Sequence, residues 1–172
     1  MPVPAADPTG ALLRHFTDLR DRTHGGASSR REKEELLGKA VPLIDPYARR
    51  ALDEINQGLL LGTGEVAGTG VRPQAAGGTE AEWTLAWPLQ QSAGIPPVTL
   101  RAHYGTEFHH PHLRSGTTGD WPLNVFDDAQ AAAELPTLRA MAAADLHNLV
   151  FQLGVRCPEL PGQSSIRMIP GR

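Results

Sequence analysis

Apolar positions recur every three to four residues as far as Gly62, and from Glu65 onward they alternate with polar ones. The first spacing is that of helices with one apolar face, the second that of strands with one buried face. Leu12, Phe16 and Leu19 stand at i, i+4 and i+7 and predict a short amphipathic helix from Thr9 to Arg22. His15 lies at the edge of that stripe, where packing or capping is its expected role. The segment 23–28 (THGGAS) reads as a loop. Ser29 and Glu32 form an S-x-x-E capping box, which satisfies two free amides where a helix starts. That helix is expected to pass through Leu36 and Leu37 and to end before Pro42. Asp45-Pro46 then reads as a fresh start, with Asp as N-cap and Pro in the first turn. Behind it Ala48, Ala51, Leu52, Ile55 and Leu59 share one face, and Arg49, Arg50, Asp53, Glu54 and Asn56 the other, with Gly62 as the stop.

In the second half, 65–72 is a strand interrupted by Gly68 and Gly70, residues that mark a bulge or a close backbone approach. Trp83, Leu85, Trp87 and Leu89 alternate with Glu82, Thr84, Ala86 and Pro88, which predicts a half-buried strand ending at Pro88. Val98, Leu100, Ala102 and Tyr104 alternate in the same way with Thr99, Arg101 and His103. Asp127 and Gln130 resemble a second capping box, for a helical turn through Glu134. A last helix is expected from Pro136 to Leu153, with Leu138, Met141, Ala142, Leu146, Leu149 and Leu153 as its core stripe and Gly154 as its stop. Helices in one run and strands in another indicate an α+β fold: N-terminal helices, a curved antiparallel meander, and a long C-terminal helix packed on the sheet. The helices are expected on the tryptophan face, in a single domain whose ends (1–8 and 157–172) are largely irregular.

Composition narrows the function classes. A net charge of −3 over 172 residues, no basic block and 5% aromatic residues argue against nucleic-acid binding. No run approaches the roughly 20 apolar residues that span a bilayer. The first residues lack the basic start and apolar stretch of a signal peptide, so a cytoplasmic protein is expected. The single cysteine, Cys157, has no internal disulfide partner and no CxxC context. LGTGEVAGTG leaves a helix and enters a strand, the reverse of a phosphate-binding glycine loop. Gly-rich sheet edges make a homodimer an option.

The candidate chemistry sits in 103–124, HYGTEFHHPHLRSGTTGDWPLN, which holds four of the seven histidines. A residue before proline is driven out of the α region, so His110-Pro111-His112 is extended and both imidazoles point to one side. If the strand ending at Tyr104 turns back through 105–108, His103 opposes His110, and His112 lies beside Arg101 on the same face. Three imidazoles would then converge: His103, His110 and His112 as ligands of a transition metal ion (Fe, Cu, Ni or Zn) or of a haem iron. Glu107 is a candidate fourth ligand or proton-transfer base, and His109 and Asp120 join it as candidate catalytic groups. Arg101 and Arg114 suit an anionic substrate group, with Trp121 and Asn124 as further substrate contacts. The closely spaced pair resembles the opening of the cupin metal motif, but the glutamate and last histidine of that motif have no counterparts here.

The favoured expectation is a small-molecule enzyme with a histidine-rich metal site, serving a specialised pathway of biosynthesis. Its first rival is a metal-free lyase or isomerase in which one histidine, paired with a carboxylate, moves protons in a sheet-lined pocket. The second is a non-enzymatic partner or carrier subunit. His147, on a side shared with Phe151, is a weaker ligand candidate.

Overall fold

A computed structural model describes residues 7–152; Leu153, the helix stop at Gly154, Cys157 and a short strand that the sequence admits at 165–169 within the irregular tail lie outside them. Two helices come first, α1 (Pro8–Asp21) and α2 (Arg30–Leu59). The sheet follows with β1 (Glu65–Gly68), β2 (Arg72–Pro73) and β3 (Gly78–Ala86). A single-turn helix, α3 (Pro88–Ser92), leads to β4 (Val98–Gly105), β5 (His112–Ser115) and β6 (Trp121–Pro122). The chain then forms α4 (Asp128–Ala133) and α5 (Leu135–Gln152). The sheet is a six-stranded antiparallel meander, β1-β3-β4-β5-β6, with β2 also paired to β3. The expected α+β architecture is the one observed.

One face of the sheet makes the core. Trp83, Leu85 and Trp87 from β3 and its end, and Val98, Leu100 and Ala102 from β4, are buried against α2 and α5. Helix α5 contributes Leu138, Ala142, Leu146 and Leu149, the stripe read from its periodicity. Between β1 and β2, one residue more than on β3 separates the pairs Gly68–Trp83 and Arg72–Glu80, a β-bulge where the glycines predicted one.

Helix α2 departs from expectation. The Ser29–Glu32 capping box forms, but the helix runs unbroken through Pro42 and Pro46, and Asp45 is not an N-cap. The Asp45 carboxylate instead accepts the Trp83 indole N–H at 2.8 Å and the Arg49 Nε–H at 3.0 Å. Leu37, Ala40, Val41, Ile44, Ala48, Ala51 and Leu52 form one buried stripe across both prolines. Burying that stripe offsets the lost backbone hydrogen bonds, each proline costing about 3 kcal/mol in a helix interior. Leu59, expected inside, is exposed. Asn56, expected outside, is buried, exchanging hydrogen bonds with Gly64 N–H (2.9 Å) and C=O (3.0 Å) to close the turn into β1.

Helix α1 is rotated relative to its hydrophobic stripe. Ala11 is buried and Leu12, His15 and Asp18 half-buried, whereas Leu13, Phe16 and Leu19 are exposed. Asp7 caps the helix, accepting Thr9 N–H at 3.1 Å. Lys33 fixes its far end: the buried ammonium donates to Arg22 O (3.0 Å) and to His109 O (2.8 Å). That one side chain ties α1, α2 and the loop 106–111 together.

Candidate metal centre

Strands β4 and β5 pair as expected in face but not in offset. His103 opposes His112 and Arg101 opposes Arg114, a two-residue shift from the tight turn-back. Because side chains alternate with period two, the shift leaves His103 and His112 on the same, polar face. The extra length goes into loop 106–111, which carries His110 beyond the end of the ladder. There His110 stacks on His112, with ring centroids 4.6 Å apart and planes 11° apart.

His15 completes the group. From α1 it meets the His110 ring edge to face at 4.1 Å and the His112 ring at 5.7 Å. Its Nδ1 faces His110 Nε2. One nitrogen from each of His15, His110 and His112 lies within 4.8 Å of the other two. Nitrogens bound to one tetrahedral ion at about 2.0–2.1 Å are about 3.3 Å apart, so modest ring rotations close the set. His103, expected as a ligand, is placed elsewhere. Its Nε2–H donates to Asp120 Oδ1 at 2.7 Å, and its ring centroid stands 6.1 Å from that of His112. Phe108 packs against both rings, at 5.0 Å from His103 and 4.7 Å from His112.

A further imidazole backs the group. His24 is held in the 23–28 loop by paired backbone hydrogen bonds with Ala27, both 2.9 Å. It stacks on His110 with centroids 5.6 Å apart and leans on Phe126 at 5.0 Å. Gly25, beside it, has φ +53°, and a Cβ there would stand 2.4 Å from the Phe126 ring. The turn presenting His24 therefore requires glycine.

Burial sets the protonation of the group. It depresses His110 to about 3 and His112 to about 4, with neighbouring imidazoles adding to the effect. Burial and then the Lys33 ammonium bring His24 to about 4. His15 is lowered by burial, against Asp18. At neutral pH these rings are uncharged and carry free lone pairs, the state a metal ligand requires. His110 donates its Nδ1–H to Pro111 O at 2.8 Å, which leaves Nε2 as the lone-pair nitrogen turned towards His15. The buried Nδ1 atoms of His24 and His112 have no hydrogen-bond partner among the described residues.

No family model, curated protein or solved structure matches this chain. The site therefore rests on its own chemistry.

The other expected residues separate into those near the group and those away from it. Glu107 is exposed in the loop after β4, and His109 is exposed while its carbonyl binds Lys33. Arg101 is engaged by Glu82 at 2.6 Å and Glu80 at 3.5 Å, which competes with any substrate anion. Arg114 is exposed beside it. Asn124 is buried with its Nδ2 unpartnered. Trp121 and Asp120 line a cleft between α1 and α5. His147 is exposed and stacks on Phe151, at 4.6 Å. His15 and His24 were not singled out by spacing. The signal pointing to His15 is its i+4 relation to Ala11, a small residue that lets α1 approach the sheet on that side.

Proposed function

We infer that this protein is a metal-dependent enzyme acting on a small molecule, with His15, His110 and His112 holding a divalent first-row transition ion. The observation that carries the reading is the convergence of three neutral imidazole nitrogens from α1, loop 106–111 and β5. An all-imidazole set suits Zn, Cu, Fe or Ni, and three such ligands leave a tetrahedral ion one position for substrate or water. There the ion would act as a Lewis acid or lower the pKa of water. His103 is the proton-transfer group in this reading. Asp120 fixes its ring with Nε2 protonated, which leaves Nδ1 as the lone-pair nitrogen that takes a proton.

Metal content of untagged protein, beside His15→Ala, His110→Ala and His112→Ala, tests this. Near one equivalent of metal in the parent, lost in each variant with circular dichroism unchanged, supports it. A parent that takes up no Zn, Co, Ni, Cu or Fe sinks it. The His103–Asp120 pair itself favours a second reading, metal-free proton transfer of the lyase or isomerase kind, and that reading would then stand alone.

A further inference from the structure

A cleft of about 580 Å³ opens between the N-terminal half of α1, the loop 116–120, β6 and the first turns of α5. Its walls are mostly apolar: Pro8, Ala11, Trp121, Pro136, Ala140 and Met141 are among them. Among the described residues its charged groups are all acidic, namely Asp7, Asp120 and Glu134, and no Lys, Arg or His lines it. Arg14, a cation that acts on Glu134, lies outside the lining.

Glu134 is the informative residue. It sits where α4 ends and α5 begins, and its carboxyl bonds the Thr137 hydroxyl. Its Oε2 is shielded from solvent and has no hydrogen-bond partner among the described residues. Burial raises its pKa from the usual carboxylate range. A carboxyl oxygen in that position is costly to leave unpaired, more so when charged. Asp120, across the cleft, is already spent on His103, and Asp7 on the α1 cap. An apolar cavity whose charged lining, among the described residues, is carboxylate alone is matched by an apolar molecule carrying one cationic donor, which Glu134 meets once its side chain turns Oε2 into the cleft.

We propose that this cleft binds a small, mostly apolar amine, whose ammonium group pairs with Glu134 while its hydrocarbon part packs on Trp121, Ala140 and Met141. As a substrate assignment the proposal rests on the metal-centre reading, because the two sites adjoin. Asp120 lines the cleft and bonds His103, and Ala11 precedes His15 by one helical turn on the same side of α1.

Binding itself is testable without metal. Full-length protein in EDTA would be titrated with 2-phenylethylamine, cyclohexylamine and 1-hexylamine, each beside its alcohol. The Met141 methyl and Trp121 indole N–H signals would be followed by NMR. At least one amine should move both signals with an affinity ten or more times that of its alcohol. Glu134→Gln should bring that amine to the level of the alcohol, and Ala140→Trp, which fills the cleft, should abolish both. Equal affinity of amine and alcohol, an unchanged affinity in Glu134→Gln, or no response to any amine overturns the proposal. Repeating the titration in His110→Ala separates the two sites. Loss of metal with amine binding intact isolates the metal centre, and metal uptake without amine binding defeats the cleft alone.

Discussion

His15 and His110 stand 95 residues apart in the chain, and their rings meet edge to face with centroids 4.1 Å apart. This contact, more than the ladder between β4 and β5, decides where the imidazoles converge. His15 is half-buried and sits on a helix whose larger apolar residues face outward, so removing its ring should disturb the fold little. His15→Ala is expected to weaken metal binding more than about 100-fold, beyond the range for residues that merely orient ligands. Its stability should stay within roughly 1 kcal/mol of the parent. Competition with a metallochromic chelator gives the first number and urea unfolding the second. An unchanged affinity would remove His15 from the ligand set.

Acid should act on this protein through the buried imidazoles. His24, His110 and His112 have a reference pKa of 6.5 but titrate at about 4, 3 and 4 in the fold. Below pH 6.5 the unfolded chain therefore binds protons that the folded chain refuses, and stability present above 6.5 falls as the pH drops towards 4. Each such histidine contributes up to about 1.4 kcal/mol per pH unit in that window. Glu134, raised by burial, opposes the trend, while Glu54, held at about 2 by Arg139, acts only at lower pH. Urea midpoints of metal-free protein at pH 7, 6 and 5 should fall monotonically. His24→Phe, which keeps a ring against Phe126 but does not titrate, should flatten the slope. A midpoint independent of pH would show that these imidazoles are accessible to protons.

The role of His103 rests on Asp120, whose carboxylate selects one tautomer. Asp120→Asn should leave metal content unchanged, because neither residue belongs to the converging set. The nitrogen chemical shifts of His103 should move from a single Nε2–H tautomer towards a mixture. Once a substrate is known, turnover should fall by about 100-fold or more, the usual contribution of a positioned acid–base group. A His103 tautomer unaffected by the substitution would break the link between the two residues.

The parts of this fold legible in the sequence are those fixed by local pattern. Trp83, Leu85 and Trp87 announce β3 because only one face of the sheet is buried, and Ser29 with Glu32 announces α2 because the capping bonds are local. The His110–His112 pair is legible for the same reason: Pro111 holds the backbone extended. What the sequence did not disclose depends on contacts far apart in the chain. Pro42 and Pro46 look like breaks until the sheet buries the stripe spanning them. Leu12, Phe16 and Leu19 look like an inner face of α1, yet only Leu12 is half-buried, because the helix is turned by Ala11, His15 and the Lys33 anchor. The offset of β5 follows from the length of loop 106–111, which alternation does not encode, although the choice of face survives.

Asp145 supports the loop that carries Asp120. The side chain is fully buried on α5 and accepts Thr99 N–H at 2.8 Å and the Thr117 hydroxyl at 2.6 Å. Gly116 packs directly on it, since a Cβ there would lie 3.0 Å from the Asp145 Oδ2. Asp145→Asn presents an NH₂ group to one of these donors, and leaving a buried donor unpaired costs about 1–3 kcal/mol. The urea midpoint should fall accordingly, and amide exchange at Thr99 and Thr118 should speed up as the loop loosens. Gly116→Ala should act in the same direction by displacing the carboxylate rather than altering it. If both substitutions changed stability by less than about 0.5 kcal/mol, the range of neutral surface changes, Asp145 would not be what holds the loop in place.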